Sequence, residues 1–299
     1  MVKKLSELYL WARRSLMAVE DSETASFLAR NLLCHYTGKT REQTLADSEM
    51  YASAHVGNAI EAAVQRLLQG EPLAYILGEW DFYGLRLQVT QNVLIPRDDT
   101  CAVTDLAIQQ ALRMDYELRI LDLCTGSGCI GLAVASHIEN ARVTLADVSQ
   151  EALAVAKKNV TALKLNSRVS CVKADALSEP ASFLGTFDMI ISNPPYITAE
   201  EMKELPTSVK DFEPNLALYG GEDGLDFYRS IASRYCKVLK PGGYLCFEFG
   251  MGQGDAVCGI LEENGYTILE RSRDYNDRER AVIAQYGRKN NDGYKETYL

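Results

Sequence analysis

From residue 118 onward the sequence alternates short apolar, β-branched runs with stretches of helical periodicity, and few architectures accommodate that alternation. The segments RILDLC, RVTLAD, VSCVKAD, FDMIISN, GYLCFEFG, YTILERS and RAVIAQYG read as seven strands, with helices such as 151–163 and 254–264 between them. Parallel neighbours need a crossover long enough to hold a helix, so this spacing predicts an α/β fold, Rossmann-like, with a mostly parallel sheet covered on both faces. The last two runs lie too close together for a helix, and the final strand is therefore expected to be antiparallel.

Before this region the texture differs. Between residues 3 and 70 apolar residues recur three and four apart, as in Leu5, Leu8, Trp11 and Ala12, then Phe27, Leu28, Leu32 and Leu33, then Ile60, Val64, Leu67 and Leu68. Four or five short helices are expected there. Gly70, Pro72, Gly78 and Gly84 then punctuate aromatic and β-branched runs in the manner of a β-hairpin. The chain is thus divided into a helical domain over 1–80, a hairpin linker over 81–100 and an α/β domain over 101–299, in keeping with about 150 residues per domain.

The formal charge of -10 gives no electrostatic reason to expect tight binding to a phosphate backbone. The eight cysteines, among them Cys34, Cys124, Cys129, Cys171 and Cys246, form no Cys-x-x-Cys pair and no cluster at metal-ligand spacing, so they read as reduced core residues and no metal is expected. No apolar stretch approaches the ~20 residues of a membrane span. These features predict a cytoplasmic protein without membrane or stable nucleic-acid partners, taken to act as a monomer. His35, His55 and His137 are isolated on helical segments, and Lys3, Lys4, Arg13 and Arg14 read as a solvated helix face.

The first strand runs into Thr125, Gly126, Ser127 and Gly128 and then a helix. A glycine turn at that place lets backbone N–H groups approach a ligand and aims the helix N-terminus at it. Asp147 closes the second strand about twenty residues later, where an acid can accept hydrogen bonds from the ribose hydroxyls of an adenosine cofactor. Asp175 closes the third, in reach of an adenine amino group. Each acid serves equally as a helix N-cap when taken alone. A Gly-x-Gly turn without the third glycine of the dinucleotide fingerprint resembles the nucleotide site of class I methyltransferases, and Asp122 on the first strand is then expected to face the cofactor's ammonium.

The fourth strand runs into Asn193, Pro194, Pro195 and Tyr196. Two prolines hold the backbone extended and leave the Pro194 carbonyl free to accept. An amide or exocyclic amine is a poor nucleophile because its lone pair is delocalised. Acceptors at the Asn193 side chain and the Pro194 carbonyl can bind both N–H protons, while the Tyr196 ring stacks on the planar group and its π face suits developing positive charge. These residues specify a planar NH2 acceptor and leave adenine, cytosine and glutamine open.

Further segments make the resemblance specific. QGEPLAYILGEWDFYGL, VLIPRDDT with Arg97 and Thr100 in register, FEPNLALYGGEDGLDFYR and LKPGGYLCFEFGMGQG are similar, in order, to stretches of the release factor glutamine methyltransferase family. Membership implies a helical domain that docks the release factor and a domain that transfers methyl from S-adenosyl-L-methionine, leaving S-adenosyl-L-homocysteine, to the glutamine of a Gly-Gly-Gln loop. It implies substrate binding at Asn193, Pro194, Pro195 and Tyr196. It also implies cofactor binding at Cys124, Thr125, Gly126, Ser127, Gly128, Asp147, Asp175, Ala176 and Asn193.

The chain departs from the family pattern at several positions. Cys124 stands where many members have glycine, and is expected to fit only with a negative φ. Asp98 and Cys101 replace a proline and an acid, and RDYNDRERAVIAQ carries no glycine ahead of its arginine. Glu213 and Glu248 are carboxylates placed to line the site, but no role is assigned to them. The rival reading is an adenine-N6 nucleic-acid methyltransferase, which needs the same Asn-Pro-Pro-Tyr chemistry but also a basic groove for the strand.

Overall fold

The computed structural model describes residues 3–287, which form two compact units: the residues up to Glu79 with Pro206–Phe212, and Trp80–Leu205 with the residues from Glu213 onward. The first unit opens with five helices, α1 (Leu5–Leu16), α2 (Ser22–Thr37), α3 (Arg41–Ala46), α4 (Ala54–Leu68) and α5 (Leu73–Leu77). Their starts follow from local chemistry. Asp21 accepts from the N–H groups of Glu23 and Thr24, Ser53 from that of Val56, and Thr40 with Gln43 forms a reciprocal capping box. Leu8, Leu16, Leu32, Ile60 and Val64 are buried where α1, α2 and α4 meet. Lys3 and Lys4 pair with Glu61 and Glu49 on partly exposed faces, as a solvated helix surface should.

The second unit runs β1 (Glu79–Phe82), β2 (Leu85–Gln88), α6 (Cys101–Ala111), β3 (Leu118–Leu123), α7 (Cys129–His137), β4 (Ala141–Asp147), α8 (Gln150–Ala162), β5 (Val169–Lys173), β6 (Phe187–Ser192) and α9 (Glu201–Glu204). After α10 (Thr207–Lys210), which belongs to the first unit, it continues with α11 (Asp226–Arg234), β7 (Leu239–Glu248), α12 (Gly254–Glu263), β8 (Tyr266–Arg273) and β9 (Glu279–Tyr286). Seven strands form one sheet in the order β5-β4-β3-β6-β7-β9-β8. Pairing is parallel from β5 through β7, and β9 runs antiparallel to both its neighbours, as the short β8–β9 connection requires.

Strand alternation decides which residues enter which core. On β3, Ile120 packs on the face that holds Val103, Leu106, Leu132 and Val143, while Leu121 and Leu123 pack with Ile190, Tyr228, Phe247 and Leu261 on the other. The sheet order reverses at β3, whose neighbours β4 and β6 lead away in opposite directions, and the crevice at the carboxyl ends of such strands is where α/β sheets bind ligands.

Residues 81–100, expected as a linker, are built into this second unit. Phe82 and Leu87 lie in its core, and the buried Asn159 of α8 clamps Gln88, accepting from its N–H at 2.7 Å and donating to its carbonyl at 3.0 Å. The same amide donates to the Ser127 carbonyl at 2.9 Å, so one side chain fastens β2 to the glycine turn.

One backbone expectation is corrected. Cys124 has φ +62° and thus occupies the left-handed region instead of keeping a negative φ. Its neighbours impose the turn: the Thr125 N–H donates to the Ala146 carbonyl at 3.0 Å, and the Gly128 N–H to that of Thr125 at 2.8 Å. The missing glycine before Arg280 has a counterpart as well. Asp277, with φ +60°, takes the left-handed conformation itself, in a turn where the carboxylate of Asp274 accepts from the N–H groups of Asn276 and Arg278.

Candidate active site

The carboxyl ends of β3, β4, β5 and β6 border a cavity of about 340 Å³, within the usual size of small-molecule sites. Cys124, Thr125, Gly126 and Ser127 line it after β3, Asp147 after β4, Asp175 and Ala176 after β5, and Asn193 and Pro195 after β6. Gly126, at φ +54°, has open space where a Cβ would stand, so backbone is presented to the cavity. Gly128 does not line it. Its role is packing, since a Cβ there would come within 3.0 Å of both Leu132 and Leu145.

Asp147 accepts from the N–H of Gly126 at 2.9 Å and from that of Ser149 at 2.9 Å, tying the glycine turn to the start of α8. Burial pushes its pKa up, with these N–H groups opposing. Asp175 spends its carboxylate on its own loop, accepting from the Leu177 N–H and the Ser178 hydroxyl. Asp122 departs from expectation. It is fully buried on the α7 face of β3, accepts from the Thr125 hydroxyl at 2.5 Å and the Gly131 N–H at 2.9 Å, and does not border the cavity. Strand alternation points it under the turn, where desolvation raises its pKa to about 7.

Of the Asn-Pro-Pro-Tyr loop, Asn193 and Pro195 border the cavity, while Pro194 is buried and Tyr196 half-buried beside it. The loop is held from behind. The Gln253 amide donates to the Tyr196 carbonyl at 3.0 Å and accepts from the Gly250 N–H at 2.9 Å, and a Cβ on Gly220 would stand 2.6 Å from the Pro195 carbonyl oxygen. Gly220 and Gly224, where a Cβ would stand 2.3 Å from the Tyr196 carbonyl oxygen, therefore serve close approach to this loop.

Residues 7–78 match the family model PrmC N-terminal domain, and residues 102–208 match Methyltransferase small domain. The release factor glutamine methyltransferase of Clostridium acetobutylicum is 41% identical over 216 residues, 72% of this chain and 75% of that protein. That of Vibrio cholerae is 37% identical over 94% of this chain and 96% of its own. The chain belongs to the release factor glutamine methyltransferase family. Among solved structures, the hMettl16 catalytic domain in complex with a MAT2A 3'UTR hairpin superposes with a TM-score of 0.55 at 14% identity, covering 81% of this chain and 86% of that one. This likeness is one of fold.

The sequence reading named two carboxylates of this family member as candidates to line the site without giving them a role, and the structure shows what each does. Glu213, almost fully buried, pairs with the Arg97 guanidinium and accepts from the Ile95 N–H at 3.2 Å, joining two segments that both border the cavity, Val93–Arg97 and Pro214–Ala217. Glu248 ends β7 beside Asn193, because Ser192 and Phe247 are partners in the β6–β7 register. Its Oε2 is buried without a hydrogen-bond partner, and burial pushes its pKa up to about 7 against hydrogen bonds from Thr100 and Asn193 and the charge of Arg280. A lone acid inside the apolar run YLCFEFG was the available signal. None of the three histidines borders the cavity, and all eight cysteines are free, two buried and six half-buried. Among the described residues there is no metal-ligating cluster and no helix long and apolar enough to cross a membrane.

Proposed function

We propose that this chain transfers the methyl group of S-adenosyl-L-methionine to the side-chain amide nitrogen of the glutamine in the Gly-Gly-Gln loop of peptide chain release factors. The observation that carries this reading is Asn193 at the rim of a cavity whose other walls suit an adenosine cofactor. The cavity's size, the open face of Gly126 and the carboxylate of Asp147 at the end of β4 fit the cofactor by the chemistry of their donors and acceptors.

When bound, the cofactor supplies an electrophilic methyl on a sulfonium. Cys124 to Ser127, Asp147, Asp175 and Ala176 would hold it, Asp147 keeping lone pairs for the ribose hydroxyls beyond the two N–H groups it already accepts. At the acceptor, Asn193 Oδ1 and the Pro194 carbonyl accept the two amide N–H protons and bias the lone pair toward the methyl. The nitrogen need not be deprotonated first, because its proton can leave after transfer. Tyr196 keeps a neutral hydroxyl, its pKa raised by burial, and offers its ring face to the charge that develops. Catalysis rests on positioning and preorganised acceptors. The helical unit, which exposes Leu10, Met17 and Phe27, is read as the surface that docks the release factor.

The deciding experiment is transfer of labelled methyl to purified release factor, with the Gly-Gly-Gln glutamine changed to alanine as control and duplex DNA as competing acceptor. Label that disappears in the control supports the reading. Label on DNA alone would move the chain to the adenine-N6 class.

A further inference from the structure

The amide of Asn193 can perform its part only in one of its two flips. With Oδ1 at the substrate it accepts a proton, and with Nδ2 there it repels the N–H groups it should hold. The side chain is therefore useful only if something outside the substrate decides between these states.

The structure supplies a chain of groups behind it. Asn193 Nδ2 donates to Thr100 Oγ1 at 3.3 Å, and the polar groups of Thr100 and Asn193 both stand close enough to the Glu248 carboxylate, set beside them by the β6–β7 register, to favour its charge. Thr100 and Glu248 are both almost fully buried, so water does not compete for these bonds. Arg280 lies behind Glu248 and is itself buried, bonded to Asp274 at 3.3 Å and to Asp99 at 3.2 Å. The antiparallel pairing that puts Glu248 opposite Ala281 brings this guanidinium next to it, and its positive charge favours the ionised carboxylate.

The direction of the relay follows from the chemistry of its end. An ionised carboxylate has no proton to give, so Thr100 must donate to Glu248. A hydroxyl has one proton, so once it is donated Oγ1 can only accept from Asn193. The amide must then present Nδ2 to Thr100, which leaves Oδ1 as the atom the relay does not occupy.

We propose that Thr100 and Glu248 are positioning residues that fix the flip of Asn193, so that its carbonyl oxygen is the atom offered to the amide being methylated. This deepens the function proposed above and rests on it. It also gives the buried carboxylate of Glu248 a reason to persist: a neutral amide in its place could donate to Thr100 and reverse the whole chain.

The test uses the full-length protein at pH 8, above the raised pKa of Glu248, with a Gly-Gly-Gln peptide and labelled cofactor. Thr100→Val keeps the shape and removes the hydroxyl, Thr100→Ser keeps the hydroxyl, and Glu248→Gln keeps the shape and allows reversal. We expect kcat to fall about 10-fold or more in Thr100→Val and Glu248→Gln, with the cofactor Kd within about threefold of wild type, and Thr100→Ser to retain most of the activity. Full activity in Thr100→Val overturns the relay. Equal loss in Thr100→Ser and Thr100→Val overturns it too, because packing and not the hydroxyl would then matter. Failure of the wild-type chain to methylate the peptide is a separate result, which overturns the functional reading and the relay's purpose with it.

Discussion

The buried carboxylate of Glu213 holds the guanidinium of Arg97 across 116 residues of sequence, and its second oxygen accepts from the backbone of Ile95. This pair joins two loops that border the same cavity. Arg97→Ala leaves the carboxylate buried without its cation, and we expect a loss of about 2 kcal/mol in unfolding free energy, less than for a fully buried pair because Arg97 is half-exposed. Glu213→Gln keeps an acceptor for Ile95 and should cost roughly half as much. Urea unfolding of the two variants checks the order, and the reverse order would show that the pair does not hold the loops.

Cys124 is strained where it stands. A non-glycine residue at φ +62° costs about 1–2 kcal/mol relative to one in the right-handed region, and glycine escapes that cost. Cys124→Gly should therefore be more stable than Cys124→Ala by about 1 kcal/mol, although both lose the same sulfur. Equal denaturation midpoints would mean that the turn relaxes freely.

Asn193→Ala should lower turnover by about 10²-fold or more, the scale of a lost preorganised polar contact, while leaving cofactor affinity within a few-fold. Isothermal titration with the cofactor, set beside single-turnover methylation, separates the two. Unchanged turnover would remove the two-acceptor account.

Asp122 makes stability depend on pH. Its folded pKa, about 7, lies above the ordinary carboxylate value because burial disfavours the charge. Between pH 4 and 7 the unfolded chain has therefore released a proton that the folded chain keeps. The contribution of this group is greatest below pH 4, falls as pH rises through that window and is flat above it. Asp122→Asn should remove this component of the slope in unfolding free energy measured across the window. An unaltered slope would assign the pH dependence to other groups, the buried Glu248 first among them.

Deleting residues 1–80 should raise KM for intact release factor far more than for a short Gly-Gly-Gln peptide, if the helical unit docks the protein substrate. Equal rises for both substrates would withdraw that role.

Much of this was legible before any coordinates. Strand–helix alternation carried the sheet and its antiparallel β9, since a parallel connection needs more chain than separates β8 from β9. The glycine turn, Asp147 and the Asn-Pro-Pro-Tyr loop could be read because each is a contiguous segment whose chemistry is written in neighbouring residues. The side chains that brace them could not, because their partners are far away in the chain: Asn159 is 71 residues from Gln88, Glu213 is 116 from Arg97, and Asn193 is 93 from Thr100.

The sequence by itself determined the fold class, the family and part of the cavity lining, Cys124–Ser127, Asp147, Asp175, Ala176, Asn193 and Pro195, because hydrophobic period and short motifs act over a few residues. Only the tertiary structure decided that Asp122 turns under the glycine loop, that Cys124 and Asp277 adopt left-handed backbone, and that Thr100, Glu248 and Arg280 stand behind Asn193. Those outcomes depend on strand register and on which face of the sheet each side chain enters. Both are set by how the whole chain packs, and no local run of residues carries them.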